Sequence, residues 1–219
     1  MRIHYASALP LLLTLVSLNG CRSTYYAAWE KLGWEKRDIL VDRVQAARSD
    51  QEKAKTEFQT TLQHLRAVAG TPEDSLQSQY DRISSDYDAC ASRAKKVHDR
   101  IASVDSVAHD LFKEWQSELA EYHSDDLRRS SEQKLSETQA RYAQLLAAMK
   151  KAESKMQPVL DAFHDQVLFM KHNLNARAIA SLQTTQASIE SDVAALIKDM
   201  DNSINEANSF IQQMQSTSK

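Results

Sequence analysis

The stretch from Leu76 to Tyr122 reads LQSQYDRISSDYDACASRAKKVHDRIASVDSVAHDLFKEWQSELAEY. Leu76, Ile83, Cys90, Val97, Val104 and Leu111 recur in it every seven residues. Tyr80, Tyr87, Ala94, Ile101, Ala108, Trp115 and Tyr122 form a second row with the same step. Every member of both rows is apolar, aromatic or cysteine. A strand facing a core would alternate with period two, whereas paired rows repeating by seven lie along one stripe of an α-helix. Kept over about six repeats, that stripe predicts long helices packed side by side at shallow angles with a left-handed twist.

The same pattern extends in both directions. Upstream, Leu40, Val44, Ala47, Gln51, Ala54, Phe58, Leu62, Leu65 and Ala69 step by three or four, with Gln51 the one polar interruption. This predicts a first helix from near Tyr26 to about Ala69. Gly70-Thr71-Pro72 then ends one helix and starts the next, since Gly suits a C-terminus, Thr can cap and Pro fits a first turn. Helix two is expected to stop near His123, where Ser124 is an N-cap and Asp125 and Asp126 sit in the following first turn. Helix three carries Leu135, Tyr142, Met149, Met156, Phe163 and Met170, with Thr138, Leu145, Ala152 and Val159 beside them. The register passes through Pro158 unchanged, which reads as a kink, because a turn would reset the phase.

The phase does reset later. Ile179, Gln186, Val193, Met200, Ala207 and Met214 form a new row, flanked by Leu182, Ile189 and Leu196. The break falls at Lys171-His172-Asn173-Leu174-Asn175, and Asn both tolerates left-handed backbone and caps helices. The expectation is an all-α fold: an elongated antiparallel up-down-up-down bundle of four helices with coiled-coil-like heptad packing. Helices of about 40 to 50 residues would make a rod of roughly 60–75 Å. The alternative is three helices, the last a long kinked one running through Asn173 as a stutter.

Composition agrees. Only Gly20, Gly33 and Gly70, and Pro10, Pro72 and Pro158, are available to punctuate turns, too few for a β-rich or α/β chain. The net charge of −3 is spread through 26% charged residues, which argues against a nucleic-acid partner. Hydrophobic content and periodicity are too high for a disordered chain.

The first residues carry a different message. Arg2 precedes an apolar run from Ala8 to Leu18, interrupted by Pro10, Thr14 and Ser17 and too short to span a bilayer stably. It ends in Leu18-Asn19-Gly20-Cys21, which resembles the bacterial lipobox, with Asn19 larger than the usual small residue. By that resemblance residues 1–20 are a removable signal peptide, and Cys21 is lipidated to become the new N-terminus. Each buried CH₂ of such an anchor is worth about 0.8 kcal/mol, so two or three chains hold the protein to the membrane. The general sorting pattern of lipoproteins, with Arg22 and not Asp after the cysteine, implies the periplasmic face of the outer membrane. Residues 21–35 form an aromatic neck, in which Tyr25, Tyr26, Trp29 and Trp34 accompany Lys31. Such rings either rest at a membrane interface or staple the end of a bundle. Residues 36–219 are expected to form a single bundle domain.

Catalytic patterns are missing from the sequence. It holds no Gly-rich phosphate loop, Gly-flanked Ser elbow, cysteine pair or His-Glu-x-x-His motif. His98 and His109 are too far apart on their stripe to share a metal. His164 and His172 are two turns apart with Asp161 and Asp165 near the first, but no Glu stands three residues before any His as bundle-core metal sites need, so neither catalytic residues nor metal nor cofactor are expected. Cys90 is either a small buried hydrophobe or the source of an intermolecular disulfide. Large and small residues alternate along the seams, Tyr87 beside Ala94 and Ala108 beside Trp115; this is either interdigitation or room for a ligand.

Several stretches together are distinctive. They are Lys36-Arg37-Asp38-Ile39-Leu40-Val41, Leu111-Phe112-Lys113-Glu114-Trp115, Pro158-Val159-Leu160, and the run from Val167 to Ala178. On these the chain resembles a family of bacterial, mostly proteobacterial, lipoproteins known only as a domain of unknown function. The resemblance implies an all-helical envelope protein and brings no site residues with it. Lys171, His172, Asn173, Asn175 and Arg177 cluster at the expected turn, as a partner-docking tip or as ordinary capping chemistry. The expected role is a membrane-anchored scaffold that meets an envelope protein or a second copy of itself and is not an enzyme. The alternative is a lipid- or small-ligand-binding bundle.

Overall fold

The computed structural model describes residues 35–68 and 75–216. Its elements are α1 (Lys36–Val68), α2 (Leu76–Glu118), a short 3₁₀ turn (Leu119–Glu121), α3 (Asp125–Ser154), α4 (Met156–His172) and α5 (Ala176–Ser216). No strand occurs among the described residues. Contacts divide the chain into two units, Met1–Glu35 and Lys36–Lys219, and the helices named here all belong to the second.

Side-chain pairs between helices fix the topology. From α1 to α2 they run Asp50 to Arg100 at 2.8 Å, Thr61 to Cys90 at 3.1 Å and His64 to Asp86 at 2.6 Å. One partner climbs as the other descends, so the helices are antiparallel. The same holds from α2 to α3, with Trp115 to Ser131 at 2.8 Å and Tyr142 to Asp105 at 2.7 Å. It holds from α3 and α4 to α5, with Lys151 to Asp199 at 2.9 Å and Gln166 to Thr185 at 3.2 Å. It closes from α5 back to α1, with Arg48 to Asn208 at 2.8 Å and Arg66 to Glu190 at 2.7 Å. Four antiparallel columns therefore surround one core, the third column being α3 continued by α4. The long helix through Asn173 is not formed, because α4 stops at His172 and α5 returns along it.

The rows that predict helices line this core. Leu76, Ile83, Cys90, Val97, Val104 and Leu111 are all buried, as are Leu135, Tyr142, Met149, Met156, Phe163 and Met170. Phe58 and Phe163 meet across the core with ring centroids 6.1 Å apart. Burying each such side chain is worth about 1.5–3 kcal/mol. The second row of α2 is less uniform. Ile101 and Ala108 are buried, Tyr80, Tyr87, Ala94 and Trp115 are half-buried, and Tyr122 is 41% exposed. Tyr122 has left the helix altogether, since its φ −70°, ψ 124° is extended backbone.

Helix boundaries follow local chemistry. Ser124 caps α3, its side chain accepting from the Leu127 N–H, and Asp125 and Asp126 occupy the first turn. Pro158 has no N–H to give to the Ser154 carbonyl, and its ring crowds that carbonyl. The helix accordingly breaks at Lys155, which keeps right-handed backbone at φ −88°, ψ −12° and donates its N–H to Ala152 O at 3.2 Å. A single helical residue between two helices is a kink, as the unbroken register requires.

Asp199 of α5 holds that kink. It is buried and accepts charge from Lys151 at 2.9 Å on one side of the break and from Lys155, at the break itself, at 2.6 Å. The Lys155 ammonium bonded to it, reinforced by Lys151, keeps its carboxyl below the ordinary aspartate value against the opposing effect of burial. A carboxyl lowered in the folded state stabilises the fold above its unfolded value of 3.8 and loses that contribution as pH falls through the folded value. Asp199→Asn is expected to cost about 1–2 kcal/mol in urea denaturation at neutral pH, an amount limited by the exposure of both lysines. The gap from the unmodified chain is expected to narrow at acid pH, below 3.8, as the folded carboxyl takes up its proton. An equal gap at both pH values would show that the carboxylate does not carry the effect.

Candidate functional site

The turn between α4 and α5 is the site that the sequence singles out. Lys171 and His172 close the last turn of α4, where a cation faces the negative end of the helix dipole, and both are exposed. Asn173 follows at φ −136°, ψ 49°. Its N–H donates to Met170 O at 3.1 Å, and its side-chain Nδ2 donates to Phe169 O at 2.9 Å. The Asn175 N–H then donates to Asn173 O at 2.9 Å. These bonds satisfy carbonyls that a helix end leaves open, so the two asparagines do turn chemistry. Arg177 lies in the first turn of α5, and its side chain is outside the described residues. The structure therefore places the turn at the end of the bundle where α1 finishes, away from Lys36. Cys21, Tyr25, Tyr26, Trp29 and Trp34 lie outside the described residues.

Two surface grooves accompany the turn. One, of about 620 Å³, runs between α1 and α5 over Leu62, Val193, Ala194 and Ile197. Arg66 and Glu190 meet at its edge, where the guanidinium holds the carboxyl below its ordinary value and is itself raised. The other, of about 330 Å³, lies where α2 passes the kink and is lined by Tyr87, Ala91, Ala94, Met156 and Leu160, among others. The Tyr87–Ala94 alternation does leave room here, because the small residues face the bend and not a straight neighbour. His98 and Glu153 bridge this groove at 2.5 Å, and Tyr87 stacks on His164 with centroids 5.2 Å apart. The first groove has no counterpart in the heptad pattern of either helix.

The nucleophilic and titratable groups of the core are occupied structurally. Cys90 is fully buried, 3.1 Å from Thr61 Oγ1, and burial pushes its thiol up to about 12. A disulfide to a second chain is therefore not available in the folded bundle. Burial and the bond to Asp105 raise the Tyr142 phenol, which stays protonated and donates. Among the described residues no three His, Cys, Asp or Glu side chains are grouped to hold a metal ion. No described helix is long and apolar enough to cross a membrane.

A family model described as a protein of unknown function, DUF2959, matches residues 25–214. The chain belongs to this family. No curated protein and no solved structure matches it. Membership thus covers the whole described bundle and leaves its activity to be argued from residues.

A charged thiol reagent is expected to leave Cys90 unmodified in the folded chain and to label it once the bundle is unfolded in denaturant. Rapid labelling under native conditions, read by peptide mass spectrometry, would contradict its place in the seam.

Proposed function

We propose that this protein is a lipid-anchored structural or interaction protein of the cell envelope. The observation that carries the reading is Leu18-Asn19-Gly20-Cys21 at the end of a short apolar run, fifteen residues before the bundle begins at Lys36. In this reading Cys21 bears the lipid, and residues 21–35 form an aromatic neck at the periplasmic face of the outer membrane. The bundle extends away from α1's first turn. Helix α1 alone, with 33 residues, covers about 50 Å. The turn with Lys171 and His172, at the end of the bundle opposite Lys36, is then offered to an envelope protein or to another copy. The reading assigns no catalytic step, cofactor, metal or nucleic acid.

A second reading is a carrier of a lipid or small ligand. The α1–α5 groove of about 620 Å³, with its apolar floor, favours it. In-cell cross-linking and native mass spectrometry separate the two. A scaffold yields a stable protein adduct, whereas a carrier retains a small molecule through purification.

Cys21→Ala is expected to abolish incorporation of labelled palmitate and to release the chain from the membrane fraction. Unchanged labelling and membrane retention in that variant would refute the anchor.

A further inference from the structure

Four residues with polar atoms that interrupt the aliphatic rows are fully enclosed, whereas Ser131, Thr138, Gln166 and Gln186 interrupt theirs without being so. Helix α1 has two rows, Leu40, Ala47, Ala54, Thr61, Val68 and Val44, Gln51, Phe58, Leu65. Each contains one polar residue, Thr61 in the first and Gln51 in the second. The leading row of α2 is interrupted by Cys90, and the α5 row Ile189, Leu196, Ser203, Phe210 is interrupted by Ser203. All four residues are fully buried. The fold brings them together two by two. Thr61 Oγ1 lies 3.1 Å from Cys90 Sγ, and Ser203 Oγ donates to Gln51 Oε1 at 3.0 Å. The interruption in the row facing α2 meets that of α2, and the interruption in the row facing α5 meets that of α5.

This matching bears on topology. Short turns join α1 to α2, α2 to α3 and α4 to α5, but an up-down-up-down bundle so connected can close with either hand. In both hands α1 lies between α2 and α5. What differs is which of its two rows faces which neighbour. In the opposite hand the Gln51 row would face α2 and leave a buried amide against aliphatic side chains. The Thr61 row would face α5 and leave Ser203 without Gln51. We propose that the pairs Gln51–Ser203 and Thr61–Cys90 select the hand of the bundle.

A polar pair kept for specificity need not be optimal for stability, and Gln51 Nε2 has no partner among the described residues. Buried Asp50 with Arg100 toward α2 follows the same hand, as do the more exposed pairs Arg48–Asn208 and Lys55–Asp201 toward α5 and Glu57–Arg93 toward α2. Water screens the exposed pairs and reaches Arg100, so they discriminate less than groups sealed in the core on both sides.

Cysteine cross-linking in the full chain tests this directly. Arg48→Cys with Asn208→Cys reports the observed hand. Arg48→Cys with Ala102→Cys reports the opposite one, because Ala102 lies on the flank of α2 with His98 and Asp105, which face α3. In the otherwise unmodified chain, peptide mass spectrometry is expected to find only the 48–208 link. With Gln51→Leu, Thr61→Val and Ser203→Ala together, the 48–102 link is expected to appear, while the melting midpoint holds or rises. The exclusive 48–208 link in this folded triple variant would overturn the proposal. The exchange Gln51→Ser with Ser203→Gln restores the pair with its partners reversed and is expected to give only 48–208. A 48–102 link in that exchange variant would also overturn it, whether or not the triple variant folds.

Discussion

Antiparallel helices whose apolar rows repeat every seven residues must each find two neighbours, because two rows on one helix span more of its circumference than one partner covers. That constraint determines the rest of the structure. It makes α1 face α2 with one row and α5 with the other, and it gives α3 and α4 a common register across Pro158. It also makes Phe58 of α1 meet Phe163 of α4 in the middle. Where a row outruns its neighbours it loses cover. Residues of α2 beyond Glu114, the partner of Lys36 at the start of α1, have no α1 beside them, and Tyr122 beyond them is exposed.

Much of this was legible because helix periodicity is a local property. The rows of α2, the cap at Ser124 and the kink at Pro158 are each decided by residues within one or two turns of one another. The return at Asn173 to Asn175 follows from a phase reset, which is also local. The meeting of Gln51 with Ser203 was not legible, since it joins residues 152 apart in the chain. Read alone, Gln51 is a defect in α1, and only the packed bundle shows it matched. The grooves were legible in part. The Tyr87–Ala94 alternation marks one of them, but the α1–α5 groove depends on how two helices without a connecting turn settle against each other.

The functional residues divide in the same way. The lipobox resemblance at Cys21 is a short linear pattern, and it supports the envelope reading independently of the fold. The cluster from Lys171 to Arg177 reads first as turn and capping chemistry and second as a docking tip, and the bonds made by Asn173 and Asn175 account for two of its members by turn chemistry. Lys171 and His172 are exposed at the end of the bundle where α1 finishes. In the proposed reading, the bundle would act as a spacer that presents this polar end. Cys90 and the protonated Tyr142 belong to the packing of the bundle.

The antiparallel closure of the seams is tested most directly by a distance across the last hairpin. Spin labels at Asp161 of α4 and Asp192 of α5 sit on exposed positions of adjacent helices. Packed helix axes lie about 8–10 Å apart, so pulsed electron resonance is expected to give a short, narrow distribution, about 15–25 Å with the label arms included. A single helix running through Asn173 would instead separate the labels by about 45 Å, and that result would contradict the four-helix bundle.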